Sequence, residues 1–490
     1  MRMFIEKSVL SKIRTELLVL PFSEEDVKKI SKKAHKYREI TDSVKSGDFT
    51  GESGKSVLLR NIDGKKRILL AGMGKEKEID QEGIRKACAH SLKVAKSLKL
   101  KSLSVLCEGF GKISGPKAAK SIVEGIILGN YEFDKYKQED RKKKKDVEEF
   151  TVYYNEPDMS EVRKVAKETR TVCENTNWVR DMVNEGGDVI HPDRIARIAE
   201  GLAGKSRLKI KILDEKQLRK MGMELLLAVG DGSRYDTKMI VLEWNGSKAK
   251  EKVALVGKGI TFDTGGLYVK PSPYMDDMRC DKAGALTVLG IMKTVSELNL
   301  KRNVVGIMPL AENMIGPKSF KPGSVIKSYS GKTVQIVDTD AEGRLILADA
   351  VTYAEKDMKA DTIIDMATLT GSCVISFGEY VAAMLSNDDD LAKKLFDSGE
   401  ETNERVWRMP AYKEYADEMK GDIADLKNVG YRRGRNAGTI TAGMFIKSFI
   451  ECKKWAHIDI AGTAWYEKPM GYQPKDATGF GVRLITEFLK

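Results

Sequence analysis

The chain has 490 residues, of which 41% are hydrophobic and 32% charged, and 84 Lys and Arg against 72 Asp and Glu give a formal net charge of +12. This composition excludes a collagen-like, low-complexity or disordered chain, because it supplies ample apolar material for large cores. No apolar run approaches the roughly 18 residues that cross a bilayer, and charged residues interrupt the first ten positions, unlike in a signal peptide. We expect a soluble, cytoplasmic protein of roughly two to four domains.

The first third of the chain alternates short apolar runs with amphipathic stretches, which is typical of an α/β layer domain with a largely parallel sheet. Buried strands are predicted at 17–20, 68–71 and 103–106. Helices are predicted at 24–37 and 81–98. The charged segment 135–150 then marks the best candidate boundary, and a long helix at about 160–183 is predicted to lead into a second unit.

From about residue 190 the same alternation resumes with longer runs. Strands are predicted at 239–242, 253–256, 304–307, 334–337, 362–365 and 457–460. Helices are predicted at 283–298 and 345–355. The sequence therefore predicts two α/β domains of unequal size.

Three features of the sequence have a structural interpretation that we favour over a functional one. The six cysteines are far apart and form no CxxC pair, which favours reduced, buried side chains over a zinc site or a redox dithiol. The basic run 141–145 is flanked by acids, which favours a solvated loop over a nucleic-acid arm. The segment 51–56 resembles the end of a phosphate-binding loop, but Phe49 stands where that motif requires glycine.

Four acids carry the strongest chemical signal. Asp263 follows the strand predicted at 253–256, Asp340 and Glu342 follow the strand predicted at 334–337, and Asp281 precedes the helix predicted from 283. Residues beyond the carboxyl ends of parallel strands meet at one crevice. Acids that meet there repel one another unless cations neutralise them, and a pair of divalent ions is a common solution. The alternative is that these acids are helix caps and turn residues.

Two lysines and several glycines accompany these acids. Lys258 and Lys270 lie among glycines at 257, 259, 265 and 266, and such glycines permit close approach of a ligand. In a cationic, partly dry pocket one lysine can become a neutral ligand. A second lysine that keeps its charge can polarise a carbonyl group.

At these positions the sequence resembles the leucine aminopeptidases, the cytosol aminopeptidase family. Residues 338–345 read DTDAEGRL, which is similar to the family's NTDAEGRL signature. Further blocks similar to the family follow in order at 256–266, 278–285, 311–314, 367–371, 424–428 and 477–483. The resemblance is strong over about 175–490, and 46–49 and 124–137 resemble the family's macro-like N-terminal domain more loosely.

The resemblance implies two three-layer α/β domains. These are a smaller macro-like domain at 1–155, a connecting helix or linker at 156–188, and a larger catalytic domain at 189–490 with a mixed, mostly parallel sheet. It also implies a homohexamer with no membrane association. The implied activity is release of N-terminal residues, leucine and other mainly apolar ones, from peptides with a free amine in intracellular peptide turnover.

The resemblance also implies the role of each site residue. Two divalent ions per subunit, Mn²⁺ or Zn²⁺, would be held by Lys258, Asp263, Asp281, Asp340 and Glu342, with Asp263 and Glu342 bridging both. Lys270 would stabilise the developing oxyanion, and Arg344 would hold a bicarbonate that acts as general base. Substrate contacts are implied for Met278, Asp338, Thr368, Leu369 and Gly371.

The chain departs from the family pattern near the site. Asp338 replaces the asparagine of the signature, and Lys282 stands directly after Asp281. Neither departure removes an implied ligand, so we expect an active enzyme. The alternative function is a DNA-binding regulatory protein on the same scaffold, which the net charge allows. A nucleic-acid partner is disfavoured because the sequence contains no helix-turn-helix or aromatic-interleaved basic stripe.

Overall fold

A computed structural model of the chain describes residues 1–7, 12–33, 35–62, 66–139, 146–155, 159–430 and 436–490. The basic run at 141–145 lies outside these residues. The chain divides into two compact units. Unit 1 comprises Met1–Glu174 with Lys468–Pro474, and unit 2 comprises Asn175–Glu467 with Lys475–Lys490. The domain boundaries expected at 155 and 188 stay predictions.

Unit 1 contains a six-stranded sheet in the order β1-β6-β5-β2-β4-β3, in which β3 alone is antiparallel to its neighbour. Its strands are β1 (Arg2–Glu6), β2 (Leu17–Phe22), β3 (Ser56–Ile62), β4 (Lys66–Gly72), β5 (Ser102–Leu106) and β6 (Glu149–Tyr153). Its helices are α1 (Glu24–Lys32), α2 (Arg38–Lys45), α3 (Gln81–Ser97) and α4 (Gly115–Gly129). A further helix, α5 (Ser160–Asn184), contains the division between the two units.

Alternation along β2 explains why this sheet is covered on both faces. Leu17 and Val19 pack with α3 and α4, whereas Leu18 and Leu20 pack with α1 and α2. Successive strand residues point to opposite faces, so a continuous apolar run requires helices on both sides. Unit 1 is therefore a three-layer α/β domain.

The helix predicted at 24–37 is too long. It ends at Lys32, and α2 begins at Arg38. The chain turns between them because Tyr37 and Ile40 reach the same apolar cluster as Val27 and Ile30. The segment 51–56 leads into strand β3 rather than into a helix, so it lacks the context of a phosphate-binding loop.

Unit 2 contains a larger mixed sheet in the order β16-β15-β18-β14-β9-β11-β8-β7, with β10 added beside β11. Its long strands are β7 (Lys209–Leu213), β8 (Lys238–Asn245), β9 (Lys252–Gly257), β10 (Gly259–Asp263), β11 (Asn303–Asn313), β14 (Thr362–Ala367), β15 (Ala382–Ser386) and β18 (Lys454–Asp459). Its short strands are β12 (Val325–Lys327), β13 (Thr333–Gln335), β16 (Val406–Arg408), β17 (Leu426–Lys427), β19 (Trp465–Tyr466) and β20 (Asp476–Ala477).

The helices of unit 2 follow the strands in alternation. They are α6 (Pro192–Ala203), α7 (Glu215–Met221), α8 (Glu224–Gly230), α9 (Ala283–Glu297), α10 (Gly343–Lys356), α11 (Gly371–Phe377), α12 (Asp389–Thr402), α13 (Lys413–Asp417), α14 (Gly438–Lys447) and α15 (Val482–Leu489). A short 3₁₀ helix, Met278–Lys282, precedes α9.

The centre of this sheet is parallel. Strand β9 pairs in parallel with β11 and β14, and β14 pairs in parallel with β18. Strand β8 runs antiparallel to β7 and β11, and β15 runs antiparallel to β18 but parallel to β16. Every residue of β11 and β14 is buried, as expected for strands covered on both faces. The predicted fold, a smaller N-terminal α/β domain and a larger one with a mixed, mostly parallel sheet, is confirmed.

Near the acidic residues, the structure differs from the prediction in one additional strand and in the end of another strand. Asp263 is the last residue of a separate strand, β10, rather than part of a loop after β9, because residues 259–263 pair with β11. Strand β13 ends at Gln335 rather than at 337. Among the described residues, no helix is both long enough and apolar enough to span a membrane.

Candidate active site

Lys258 lies at the break between strands β9 and β10. Its backbone N–H donates to the carbonyl of Met366 on β14, and its own carbonyl accepts from the N–H of Ala285 on α9. These two bonds fix the main chain between the sheet and the helix. The side chain is buried, and its Nζ donates to the carbonyl oxygen of Thr368 at 2.9 Å.

Four carboxylates gather around this lysine and Lys270. Lys258 Nζ lies 2.8 Å from Asp281 Oδ2 and 2.8 Å from Glu342 Oε1. Lys270 Nζ lies 2.9 Å from Asp263 Oδ2 and also contacts Asp340. Oxygen atoms of Asp263, Asp340 and Glu342 lie within 4.8 Å of one another. The acids come from β10, the 3₁₀ helix and the turn before α10, so the fold brings together residues that the sequence separates.

Glycine is required at position 343, the first residue of α10, because the Lys258 side chain packs against it. A Cβ atom at Gly343 would lie 2.6 Å from both Cε and Nζ of Lys258. Any larger residue would therefore push the lysine away from Glu342. At Gly265 the backbone has φ of +84°, and a Cβ atom would lie 2.3 Å from the carbonyl oxygen of Tyr268, so the loop that carries Lys270 also depends on glycine.

The four carboxylates outnumber the two ammonium groups, and this imbalance shows in their pKa values. Burial, followed by repulsion from Asp263, raises the pKa of Glu342 to about 8. Burial and repulsion from Asp263 raise the pKa of Asp340 to about 6, although Lys270 opposes this shift. Burial would lower the pKa of Lys258, but Asp281, Glu342 and Asp263 outweigh it and raise that pKa. The site thus carries excess negative charge that a cation would neutralise.

The donor set fits divalent metal ions. Glu342 is 1% exposed, and its Oε2 has no hydrogen-bond partner among the described residues. A buried carboxylate oxygen without a donor is costly, and metal coordination would satisfy it. Carboxylate oxygens, with a lysine amine as a further donor, are suitable ligands for Mn²⁺ and Zn²⁺.

Arg344 lies on the first turn of α10, two residues after Glu342. Its Nη1 donates to the carbonyl oxygen of Asn428 at 2.7 Å, and its buried Nε has no partner among the described residues. Burial lowers the pKa of Arg344 to about 10, against the attraction of Glu342, Asp338 and Asp459. An arginine with a free donor at a helix N-terminus suits a small anion.

The residues expected to contact substrate fall into two groups. Thr368 contacts the centre, because its Oγ1 donates to Asp281 Oδ1 at 2.7 Å. Leu369 is the next residue, and its N–H donates to Asp459 Oδ1 at 3.0 Å. Asp338 is half-buried, and its Oδ1 accepts from the N–H of Asp340 at 2.8 Å. Met278 begins the 3₁₀ helix and Gly371 begins α11, and no hydrogen bond ties either to the carboxylates.

Sequence reasoning assigned no role to three residues that shape the site. Asn313 Nδ2 donates to Asp263 Oδ1 at 2.8 Å, and Asn428 Nδ2 donates to the carbonyl of Asp338 at 2.6 Å. Asp459 accepts from Thr370 Oγ1 at 2.7 Å as well as from Leu369. Asn313 and Asn428 lie in blocks that resemble the family, so their position in those blocks was the available signal.

Comparison with known proteins shows the same architecture. Residues 177–486 match the Cytosol aminopeptidase family, catalytic domain, and residues 19–140 match the Cytosol aminopeptidase family, N-terminal domain. A "Probable cytosol aminopeptidase" of Geobacter sp. (strain M21) is 42% identical over 447 residues, which cover 90% of each chain.

Two solved structures are similar over nearly the whole chain. The structure of a tomato leucine aminopeptidase mutant has a TM-score of 0.87 at 29% identity, covering 100% of this chain and 96% of its own. The structure of the bottromycin maturation enzyme BotP in complex with Mn has a TM-score of 0.86 at 28% identity, covering 97% and 99%. With the carboxylate and lysine centre described above, these matches show that the chain belongs to the cytosol aminopeptidase family and is a metal-dependent aminopeptidase.

Proposed function

We propose that the chain releases single N-terminal residues, leucine and other mainly apolar ones, from peptides by two-metal hydrolysis. The observation that carries the proposal is the convergence of four carboxylates on two lysines, with one carboxylate oxygen of Glu342 left without a donor among the described residues. The residues that would hold the ions are Lys258, Asp263, Asp281, Asp340 and Glu342. Bound Mn²⁺ or Zn²⁺ would supply Lewis-acid polarisation and lower the pKa of water.

The protein's own groups supply the other parts of the reaction. Lys270 lies on the open side of the cluster, on a loop whose neighbours Tyr268 and Val269 are exposed. Its ammonium group would donate to the carbonyl oxygen of the scissile bond as negative charge develops there. Arg344 would hold a bicarbonate through its Nε, which has no partner among the described residues, and that anion would supply a general base to the site.

The free amine of the substrate explains the restriction to N-termini. A neutral amine is a suitable metal ligand, whereas an acylated amine is not. A peptide with an acylated N-terminus would therefore lose one of its contacts with the enzyme. Met278, Asp338, Thr368, Leu369 and Gly371 would form the contacts around the first side chain and the peptide backbone. Three of them are supported by the structure: Met278 shares a 3₁₀ helix with Asp281, Thr368 donates to Asp281, and Asp338 accepts from the N–H of Asp340.

The test is hydrolysis of leucyl amide by chelated protein before and after addition of Mn²⁺ or Zn²⁺. Restored activity that is lost with N-acetyl-leucyl amide is the expected result. A folded protein that binds metal and cleaves neither substrate would contradict the proposal. Omission and addition of bicarbonate under CO₂-free conditions would test the role of Arg344 separately, with a lower kcat expected without bicarbonate.

The oligomeric state of the enzyme and its cellular location are further proposals. We infer a homohexamer from the resemblance to the family, and light scattering coupled to size-exclusion chromatography would measure it. Similarity to proteins named as probable cytosol aminopeptidases supports peptide turnover in the cytoplasm. The DNA-binding alternative depends on net charge and on a basic run outside the described residues, so no structural observation favours it.

A further inference from the structure

Lys282 is a fully buried lysine directly after the carboxylate of Asp281 in the chain. Its exposed fraction is 0%, and its Nζ donates to the carbonyl oxygens of Arg279 at 2.5 Å and Glu185 at 2.8 Å. Among the described residues no carboxylate forms an ion pair with it. The side chain therefore does not compete with Lys258 for the acids of the centre, although it lies next to one of them in sequence.

The two carbonyl groups belong to separate segments of unit 2. Glu185 follows the last residue of α5, and Arg279 lies within the 3₁₀ helix Met278–Lys282. Short 3₁₀ helices have poor hydrogen-bond geometry and little stability of their own. A lysine that donates to both segments holds the 3₁₀ helix against the end of α5.

The position of Asp281 depends on this 3₁₀ helix. Thr368 Oγ1 donates to Asp281 Oδ1 at 2.7 Å, and Lys258 Nζ lies 2.8 Å from Oδ2, so the carboxylate is oriented from the side of the sheet. The main chain two residues before Asp281 is held by Lys282, whose Nζ donates to the carbonyl of Arg279. The main chain just after Asp281 is closely packed against the sheet, because a Cβ atom on Gly284, three residues later, would lie 2.3 Å from the carbonyl oxygen of Met366.

We propose that Lys282 is a positioning residue of the metal centre, whose Nζ bridges the carbonyls of Glu185 and Arg279 and thereby fixes the main chain that presents Asp281. This inference rests on the proposed function in one respect, namely that Asp281 is a metal ligand. Loss of the bridge removes one donor from each of the two carbonyl groups and frees the 3₁₀ helix to move. The effect is a weaker metal site rather than a loss of chemistry.

The experiment compares wild type with Lys282→Met and Lys282→Gln. Methionine keeps the length and apolar character of the side chain but donates nothing, whereas glutamine can still donate to one carbonyl. We expect Mn²⁺ titration of the chelated protein to show one of two sites weakened about 10- to 100-fold in Lys282→Met, as for other residues that orient a ligand, and less in Lys282→Gln. At saturating Mn²⁺, kcat is expected to return to within about threefold of wild type.

A matched control is Lys447→Met. Lys447 is half-buried and donates from Nζ to the carbonyl of Ile450 at 2.9 Å, but it lies on α14, outside the centre. Its loss is expected to leave both Mn²⁺ affinities unchanged. If Lys282→Met folds too poorly to titrate, Lys282→Gln and the rise in Tm caused by Mn²⁺ are compared instead, and a smaller rise than in wild type is expected.

The outcomes separate this inference from the proposed function. Equal Mn²⁺ affinities in wild type and in both Lys282 variants would overturn the inference and leave the proposed function intact. Wild type that binds Mn²⁺ but cleaves no leucyl amide would overturn the proposed function, while a weakened site in Lys282→Met would still support the positioning role. A kcat that stays low at saturating Mn²⁺ would contradict the inference, because it would place Lys282 in the chemistry.

Discussion

Each unit of the molecule buries a group of charged side chains, and the two groups differ in balance. In unit 1 Arg85 Nε donates to Glu124 Oε2 at 2.6 Å, Arg85 also contacts Glu82, and Tyr472 donates to Glu82. In unit 2 four carboxylates surround two lysines, and Glu342 Oε2 has no donor among the described residues. In a structural ion pair the charged atoms satisfy one another's hydrogen bonds, whereas a metal-binding centre contains carboxylate oxygen atoms that no donor in the protein satisfies.

The largest expected effect is on catalysis in unit 2. Replacement of Glu342 by Ala is expected to lower kcat/KM at least 1,000-fold, or about 4 kcal/mol, because the carboxylate proposed to bridge the metal ions is lost. The far-UV circular dichroism of the chelated protein is expected to stay the same, since the change removes one member of a group of acids that disfavour one another's ionisation. Full activity at any Mn²⁺ concentration would contradict the bridging assignment.

The matching change in unit 1 should affect stability instead. Glu124→Ala leaves Arg85 buried with a weakened set of partners and is expected to destabilise unit 1 by about 3–5 kcal/mol. All five tryptophans lie in unit 2, so urea unfolding is followed by circular dichroism for both units and by fluorescence for unit 2. An unchanged circular dichroism transition would contradict the structural role, and a fall in the kcat of the folded protein would contradict the distinction between the two groups.

Lys270 should affect turnover without large effects on stability. Lys270→Met removes the ammonium group that faces the open side of the cluster, and we expect kcat to fall about 100- to 1,000-fold, or about 3–4 kcal/mol. Steady-state kinetics with leucyl amide at saturating Mn²⁺ measures the effect, and KM is expected to change little. Lys293→Met, at a partly exposed position of α9, is a control with expected wild-type kcat. A change confined to KM would instead assign Lys270 to substrate binding.

The last expected effect is a dependence of stability on pH, which is small for each pH unit. In the chelated protein the pKa of Glu342 is raised from its ordinary 4.5 to about 8, so between these values the folded state binds more protons than the unfolded state. The free energy of unfolding is therefore expected to fall as pH rises from about 5 to 8, by at most about 1.4 kcal/mol per pH unit for one group. Urea titrations at several pH values measure this slope, and Glu342→Gln should reduce it. A rise in stability over the same range would contradict the assignment.

Much of the site could be predicted from the sequence. Asp263, Asp281, Asp340 and Glu342 were identified because they follow or precede predicted elements at one edge of a parallel sheet, and the structure brings all four together. The same reasoning missed Asp459, which lies at the end of β18, because an acid at a strand end does not reveal which backbone N–H groups it accepts from. Strands β1 and β3 were missed because the apolar run in each is only three residues long, at 3–5 and at 57–59.

The sequence by itself determined the family, the α/β class and the candidate ligand residues, because short blocks of residue identity and strand-sized apolar runs are local properties of a chain. The tertiary structure alone decided which partner each charged group has. Lys282, next to Asp281 in sequence, donates to the carbonyl of Glu185, 97 residues earlier, and Lys258 reaches Thr368, 110 residues later. Burial and charge balance depend on such distant contacts, so they emerge only when the chain is folded.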